Sequence, residues 1–333
     1  MSISMLDEKI PILIRETLHD QGQELHSNAS PDIIVRKTKF SEDELSKIFT
    51  ETYNQDISLR RDDSEKMYLY VRFKNTSGKP LTDFYIHLYR NHLGLSNCPS
   101  DWEKYEMHTE SGTCAHIEYL GAGKIGATPA FIYDKKTEGE HPNCFVAVAT
   151  REKTPDYSSV SGWENYIKWV NKMNVAARNV CVISGSSGIY TQKVVTDNLH
   201  MGGPMLIRVR IDENTPSGVT YGIRQKELHI DEQMTYLKSD FRTWAINCEF
   251  IMSRENQYSF EVWFEANKDD VSKVVCRSAF YKKELYAFDS DLNSYLVDLR
   301  TGDSLPNGAE NLPEMSDCGY LLGCCYFIGS EAG

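Results

Sequence analysis

Apolar and polar residues alternate with a period of two along many short stretches of the chain. Residues 67–75 (MYLYVRFKN) and 83–90 (DFYIHLYR) show the pattern most clearly, with Met67, Leu69 and Val71 as inward positions of the first stretch. This period is typical of a β-strand that buries one face. The turn residues TSGKP between the two stretches predict a hairpin. Further strand candidates are HIEYL, PAFIY, CFVAVAT, NVCVIS, PMLIRVRID, RTWAINCEFIM, YSFEVWFEA, KVVCRSAFY, SYLVDLR and YLLGCCYF.

Two segments have helical patterns instead. Residues 41–54 (SEDELSKIFTETYN) begin with Ser41 and Glu44, which have the spacing of a capping box. Ser161 and Glu164 have the same spacing and open a second helix, whose apolar stripe covers an open end of a sandwich. The stripe consists of Trp163, Tyr166, Ile167 and Val170, and we expect Trp163 and Trp169 to pack in the core.

The excess of short strands predicts an all-β fold of two β-sandwich, immunoglobulin-like domains with a few short helices. The length of 333 residues exceeds that of a usual single domain. The glycine-rich polar stretch SGSSGIYTQKVVTDNLHMGG predicts a connection between the halves. We therefore expect an N-terminal arm (1–40) packing on the first sandwich, an immunoglobulin-like sandwich (41–190) and a second β-rich sandwich (191–333).

Charge and terminal composition narrow the classes of partner. The formal net charge of -12 leaves no basic field for nucleic acid or for an anionic membrane. Asp7 and Glu8 precede the first apolar run and no small-residue cleavage site follows it, so we expect no signal peptide. No apolar run approaches the ~20 residues of a membrane-spanning helix. The sequence thus predicts a protein of the cytoplasm, or one exported by a route independent of a signal peptide.

The chain has nine cysteines and no CxxC pair, a spacing that disfavours zinc. Cys144, Cys181 and Cys276 lie inside apolar strand-like runs, where a free cysteine behaves as a small core residue. We favour reduced, buried thiols over disulfides.

The stretch Gly121–Gly126 (GAGKIG) has the spacing of a dinucleotide-binding loop. Such a loop needs a helix after it, because the helix N-terminus binds the pyrophosphate. Here Pro129 and the β-branched, aromatic run that follows predict a strand, so the glycines are interpreted as a loop between strands.

Other motifs are incomplete. Ser186 and Ser187 (SGSSG) lack the spacing of a nucleophile elbow. The pair His141 and Cys144 suggests a cysteine–histidine site, but Cys144 begins a core strand. Asp289, Asp291 and Asn293 imitate a calcium loop, in which Ser294 and Arg300 occupy the glycine and glutamate positions. His229, Asp231 and Glu232 lie on a segment of alternating polarity and are expected to face solvent. We identify no catalytic, cofactor-binding or metal-binding residue.

Three regions resemble a known module. LIRETLHDQGQELHSNASPDIIVR, MYLYVRFKNTSGKPLTDFYIHLYR and CFVAVATREKTPDY with NVAARNVCVI are similar to the bacterial immunoglobulin-like, cell-adhesion-related (CARDB-like) sandwich modules. The resemblance covers about residues 13–184 and implies a sandwich that binds rather than catalyses. The chain departs from the pattern in its polar insertion at 150–173 and in the absence of an export signal; the C-terminal half is not recognised. The match is carried by Asn75, Gly78, Asn174, Val175, Ala176, Arg178 and Asn179.

The same residues have a physical interpretation. Asn75 and Gly78 bracket a turn and suit positions with positive φ. Arg178, on a strand between apolar neighbours, can donate to a carboxylate such as Asp32 and so fix the N-terminal segment to the sheet.

The favoured function is a non-enzymatic bacterial interaction or assembly protein, in which sandwich edges and aromatic loops contact a protein partner or another copy of the chain. The candidate interaction patch is the outward set Tyr68, Tyr70, Tyr85 and Tyr89, which can equally form a stabilising tyrosine ladder. One alternative is an effector or toxin that binds a glycan or membrane, with Trp102, Trp163 and Trp263 as sugar platforms. Another is a hydrolase with an unrecognised site.

Overall fold

A computed structural model describes most of the chain and divides it into two compact units. The described residues are 10–22, 30–58, 65–91, 105–138, 144–158, 160, 162–170, 172, 174–179, 184–186, 188–196, 202–253, 258–267, 269–283, 296–298 and 318–328. Unit 1 comprises residues 1–92, 98–161 and 168–180, and unit 2 comprises residues 93–97, 162–167 and 181–333.

The elements up to residue 180 include nine strands and three helices among the described residues. In chain order they are β1 (Ile12–Leu13), β2 (Ile33–Arg36), α1 (Glu42–Glu51), β3 (Lys66–Asn75), β4 (Leu81–Asn91), β5 (Cys114–Leu120), β6 (Ile125–Ala127), β7 (Phe131–Asp134), α2 (Lys135–Glu138), β8 (Cys144–Thr150), α3 (Gly162–Val170) and β9 (Val175–Asn179).

Unit 1 is a β-sandwich of two antiparallel sheets. In the first sheet the long strand β3 pairs with β1 and β2 along one edge and with β6 and β7 along the other. The second sheet has the order β5-β4-β8-β9. The inward residues of β3 and β4 meet in one buried cluster, where the rings of Phe73 and Phe84 are 5.8 Å apart and nearly perpendicular. The alternation in residues 67–73 therefore predicts the buried face of β3 correctly, since Met67, Leu69 and Val71 belong to this cluster.

The predicted hairpin of β3 and β4 is wrong, because the two strands belong to different sheets. The connection between them crosses from one sheet to the other. The buried side chain of Asn75 holds it, donating to the carbonyls of Lys79 (2.8 Å), Gly121 (3.1 Å) and Leu120 (3.3 Å). Neither Asn75 nor Gly78 has a positive φ, so Asn75 acts through its amide and not through backbone conformation.

Helix α1 covers the outer face of the first sheet. Ser41 and Glu44 form the predicted capping box, in which the Glu44 carboxylate accepts from the Ser41 N–H at 2.7 Å. These bonds hold the pKa of Glu44 below its usual range. Phe40 and Phe49 pack on Tyr70, with ring centroids 5.1 and 5.6 Å away, so a second small core forms outside the sandwich.

Asp32 is the centre of a buried ion-pair network. Its carboxylate accepts from Arg15 Nη2 (2.7 Å) and Nε (3.0 Å) and from Arg72 Nε (2.7 Å). All three side chains are buried. The Arg15 guanidinium lies 3.5 Å from the centre of the Tyr53 ring, and burial raises the pKa of Tyr53 to about 12. Arg15 also donates to the Tyr53 carbonyl and Arg72 to the Thr52 carbonyl, so the network connects Arg15, Asp32 and the residues that follow α1 to β3.

The prediction that Arg178 pairs with Asp32 is wrong. Arg178 donates to both carboxylate oxygens of Asp56, at 3.1 and 3.0 Å, and to the carbonyl of Ser30 at 2.6 Å. Asp32 is already bound by Arg15 and Arg72. Arg178 still connects β9 to the N-terminal segment, but it does so through the Ser30 backbone.

Unit 2 contains two further antiparallel sheets. Its strands are β10 (Ser184–Ser186), β11 (Ile189–Thr196), β12 (Gly203–Ile211), β13 (Thr220–Gln225), β14 (Ile230–Thr235), β15 (Ala245–Met252), β16 (Tyr258–Glu265), β17 (Val275–Lys283), β18 (Leu296–Asp298) and β19 (Cys318–Ile328). The sheet orders are β10-β11-β16-β13-β14 and β15-β12-β17-β19-β18. The rings of Phe250 on β15 and Phe260 on β16 are 5.4 Å apart, which shows that side chains of the two sheets meet in a core.

The all-β fold of two sandwiches is therefore confirmed. The linker prediction fails at residues 184–186 and 189–196, because these form β10 and β11, which pair with each other, and β11 also pairs with β16. The proposed arm contributes β1 and β2 to the first sheet, so residues 12–13 and 33–36 are part of that sandwich. Trp169 and Val170 of α3 are buried as predicted, whereas Ser161 and the Trp163 side chain lie outside the described part.

Candidate functional site

The four tyrosines of the predicted patch do not share a surface. Tyr68 and Tyr70 belong to the first sheet of unit 1, and Tyr85 and Tyr89 belong to the second. Tyr70 is buried and its hydroxyl accepts from the Phe40 N–H at 2.8 Å. Tyr89 is buried with its hydroxyl 3.1 Å from that of Tyr157.

The tyrosine patch is thus wrong as an exposed surface. Tyr68 and Tyr85 are half-buried, and the Tyr85 ring stacks on His116 at 4.9 Å. The alternation placed all four residues outside the sandwich core, but additional elements cover the outer faces of both sheets. Tyr70, for example, lies beneath Phe40 and Phe49, residues that are distant from it in sequence.

The glycine loop connects strands, as predicted. It runs from β5 into β6, and Gly123 has a φ of +67°. Gly126 lies against Phe73, where an added Cβ would be 2.6 Å from the ring. The third glycine therefore serves close packing between strand and core.

The remaining motifs show no assembled chemistry. Asp231 and Glu232 are exposed on β14, as predicted, and Asp231 pairs with Arg224 at 3.2 Å. Ser186 lies in β10 and not in a linker. Only β18 of the incomplete calcium-like segment 289–300 is described, and Asp289, Asp291 and Asn293 lie outside the described residues. Ser187, His141 and Trp102 lie outside them as well. Within the described ranges, no group of three or more histidine, cysteine or acidic side chains could hold a metal ion.

Buried thiols occur in both units. Cys114, Cys144, Cys248 and Cys276 are buried. Burial raises the pKa of Cys114 and of Cys276, and it raises the pKa of Cys248 to about 11. A thiol that stays protonated is a poor nucleophile, so Cys114, Cys248 and Cys276 have a packing role.

Trp263 does not form the sugar platform that the sequence suggested. Only 5% of the residue is exposed, although it lies on β16 directly opposite Gly222 of β13. A Cβ added at Gly222 would be 2.6 Å from the indole, and the Arg224 guanidinium lies 4.9 Å from the ring centre. The indole is therefore covered by the protein itself and is not open to a sugar.

An apolar groove lies on unit 1 between α1 and the strand segment 125–130, and we call it the α1 groove. Its volume is about 590 Å³. Both sides of the groove are apolar. Phe40, Leu45 and Phe49 line the helix side, and Ile125, Ala127 and Pro129 line the strand side. The groove exists because α1 packs on Tyr70 and does not extend over β6 completely.

Polar groups border the α1 groove. Lys39 and Glu110 form an ion pair of 2.8 Å at its rim, and both side chains are exposed. The bond lowers the pKa of Glu110 and raises that of Lys39, so both stay charged near neutral pH. The backbone of β6 also has polar groups that do not face β3. The Lys124 carbonyl and the Thr128 N–H hydrogen-bond to β3, and backbone groups alternate in direction along a strand, so the N–H and C=O groups of Ile125 and Ala127 point to the edge of β6 away from β3.

The most exposed large apolar side chain among the described residues is Phe241, which is 79% exposed. It lies in residues 237–244 (LKSDFRTW), the connection of β14 and β15, which we call the Phe241 loop. Leu237 of the same loop is 44% exposed. A bidentate ion pair flanks the phenylalanine, since Arg242 Nε and Nη2 each lie 2.9 Å from Asp240.

Hydrogen bonds fix the shape of the Phe241 loop. Asp240 caps a short 3₁₀ turn at residues 241–243 through the Arg242 N–H, at 3.1 Å. The Thr243 hydroxyl donates to the carbonyls of Asp240 (2.7 Å) and Leu237 (3.1 Å) and accepts from the Leu237 N–H (2.8 Å). The buried Tyr221 hydroxyl donates to the Thr243 carbonyl at 3.0 Å. The loop therefore presents Phe241 on a preorganised support.

Sequence reasoning missed both of these features. The segment beginning at Arg242 was expected to be strand from its start, whereas β15 begins at Ala245. The available signal was local: Asp240 precedes a polar turn that contains one isolated phenylalanine. The α1 groove had no comparable signal, since its two sides come from distant segments.

Known proteins give little further guidance. No family model matches the sequence, and no curated protein matches it. Among solved structures, the red sea bream transglutaminase is 8% identical over 67% of this chain and 28% of its own, with a TM-score of 0.22. The collagen adhesin from S. aureus is 8% identical over 81% of this chain and 92% of its own, with a TM-score of 0.19. The B domain of a biofilm-associated protein is 9% identical over 78% of this chain and 83% of its own, with a TM-score of 0.19. These scores are too low to carry a functional argument, and the chain spans little more than a quarter of the transglutaminase.

None of the described helices combines the length and the apolar character that crossing a membrane requires.

Proposed function

We propose that the chain is a non-enzymatic protein-interaction module whose contact surface is the Phe241 loop. The observation that carries the proposal is the 79% exposure of Phe241 on a loop fixed by its own hydrogen bonds. Exposing an aromatic ring to water is unfavourable, and a rigid support removes much of the entropy that binding would otherwise cost. Binding hot spots have this combination of an aromatic anchor and a preorganised backbone.

The flanking charges suit the same role. Lys238, Asp240 and Arg242 lie within three residues of Phe241 in the same loop, so the apolar anchor has charged neighbours that can set orientation. We propose that the module acts in the cytoplasm, or outside the cell after export by a route that needs no signal peptide.

Photo-crosslinking tests the proposal. A benzophenone-bearing phenylalanine analogue is placed at position 241 of the full chain, and irradiated samples are analysed by mass spectrometry of the adducts. Ile251 is the matched control position, because it is 70% exposed and apolar but lies on β15 outside the loop. We expect a discrete protein adduct from position 241 and only background from position 251. Equal, diffuse labelling from both positions would reject the loop as a binding surface.

A further inference from the structure

We propose that the Phe241 loop of one copy docks in the α1 groove of a second copy, so that the chain assembles head to tail. The inference rests on the proposed function and names the partner that the loop binds. It follows from a match of size, polarity and charge between two surfaces that the same sequence encodes.

The apolar parts match in size. A closed cavity of about 150 Å³ holds one benzene molecule. The α1 groove, at about 590 Å³, therefore has room for the Phe241 ring together with the neighbouring Leu237 side chain. Both are exposed in the single chain, whereas the walls of the groove are apolar on its helix side and its strand side.

The charged parts match in sign. The loop has one cation on each side of its carboxylate, Lys238 and Arg242 around Asp240, and so carries a net positive charge. The charged side chains that line the groove are Lys39 and Glu110, and Glu110 offers a carboxylate that a cation of the loop can approach.

The rim provides a more specific match. The exposed pair Lys39–Glu110 at the groove and the exposed pair Asp240–Arg242 on the loop each offer one cation and one anion. On docking, Arg242 can reach Glu110 and Lys39 can reach Asp240. Four alternating charges then enclose the buried ring, and this arrangement excludes water from the anchor.

The assembly must be heterologous. The groove belongs to unit 1 and the loop belongs to unit 2, so the two contact surfaces are different patches. A single docked contact leaves one groove and one loop free, so contacts of this kind produce open chains or rings, and the smallest ring is a reciprocal pair of two copies.

The test uses two complementary variants of the full chain. Phe241→Ser removes the anchor but keeps the groove. Ala127→Phe fills the groove floor but keeps the loop; Ala127 is half-buried, and phenylalanine is favourable in a strand. Should Ala127→Phe lose the native circular dichroism spectrum, Thr50→Arg at the exposed helix wall replaces it, because it places a bulky cation opposite Arg242. Ile251→Ser is the control for loss of an exposed apolar side chain.

Sedimentation velocity over a range of concentrations gives the readout. We expect wild type and Ile251→Ser to form dimers or larger oligomers as concentration rises, while Phe241→Ser and the groove variant are each monomeric. Phe241→Ser should weaken association by roughly 30-fold or more, the size of a hot-spot loss. An equimolar mixture of the two monomeric variants should form dimers and nothing larger, since only one productive contact remains.

Four results would overturn the inference. Wild type that stays monomeric at every concentration excludes self-assembly, and a mixture that remains monomeric excludes the pairing of loop with groove. Adducts from position 241 that map to a different protein would also reject the second copy as partner, but would leave the proposed function intact. Absence of any specific adduct from position 241 would reject both.

Discussion

Replacing Asp32 by asparagine tests the buried network that joins the N-terminal segment to the first sheet. The side chains of Asp32, Arg15 and Arg72 are almost inaccessible to water. Asparagine has nearly the same shape, so the change removes the charge and one acceptor atom without opening a cavity.

The expected loss follows from the contacts. Oδ2 of Asp32 accepts from the Arg15 backbone N–H at 2.9 Å and from Arg15 Nε at 3.0 Å, and an amide group in its place presents hydrogens to both donors. Hydrogen bonds to charged groups contribute about 1.5–3 kcal/mol each. Breaking a buried ion pair by removing one partner costs about 3–5 kcal/mol. We expect Asp32→Asn to lower the free energy of unfolding of unit 1 by about 3–5 kcal/mol, a large part of the roughly 5–15 kcal/mol of a typical domain.

Hydrogen exchange followed by mass spectrometry measures this loss separately for each unit. Peptides from β3 should exchange at least about 100-fold faster in the variant, whereas peptides from β12 should exchange at the wild-type rate. Glu65→Gln is the control, because the Glu65–Lys136 pair is more than two-thirds exposed on both sides and exposed pairs contribute at most about 1 kcal/mol. If Asp32→Asn accelerates exchange in β3 no more than Glu65→Gln does, the network is not the main connection between the N-terminal segment and the first sheet.

Three further substitutions and one labelling experiment test separate parts of the structure. In limited proteolysis, Arg178→Leu should be cleaved several-fold faster than wild type near Asp56 and within residues 30–36, because the change removes the bonds to Asp56 and Ser30. Unchanged cleavage would contradict this. Gly126→Ala should lower the free energy of unfolding by about 1–3 kcal/mol in urea titrations, since its Cβ meets Phe73, whereas Gly78→Ala has open space and should be within about 0.5 kcal/mol of wild type. Glu44→Gln should increase amide exchange in α1 near neutral pH. Folding lowers the pKa of Glu44, so the stabilisation of α1 by its carboxylate is present above the unfolded pKa of about 4.3 and is lost as pH falls through the folded pKa. The exchange rates of Glu44→Gln and wild type should therefore converge in acid. A difference in exchange rate that stays constant with pH would reject the charged cap. Cys248 should resist iodoacetamide until the pH approaches 11 or the chain unfolds, as measured by peptide mass spectrometry, and rapid labelling at neutral pH would refute its burial.

The two surfaces of the proposed interaction show how stability and function are separated in this fold. Tyr221 and Thr243 hold the Phe241 loop by bonds that do not involve the Phe241 side chain. Phe241→Ser should therefore leave the fold of unit 2 intact, which makes it a clean test of binding. The groove is less independent, since Phe40 and Phe49 also pack on Tyr70. Ala127 packs against the same cluster, so the test keeps Thr50, an exposed residue of α1, as a second groove position.

The sequence alone predicted the features that depend on neighbouring residues. The period of two identified Met67, Leu69 and Val71 as core residues because a strand's side chains alternate between faces whatever surrounds it. The capping box at Ser41 and Glu44 and the loop character of the glycine stretch are equally local. The many short strands were sufficient to predict two sandwiches.

Tertiary structure decided which strands pair and which outward side chains reach water. β3 and β4 are adjacent in sequence but lie in different sheets, since the Asn75 amide fixes a crossing connection with partners up to residue 121. Tyr70 points away from the sandwich core and is still buried, because α1 returns to cover it. Arg178 found Asp56 and not Asp32 for the same reason: partner choice depends on distances between segments more than a hundred residues apart, and no local pattern encodes those distances.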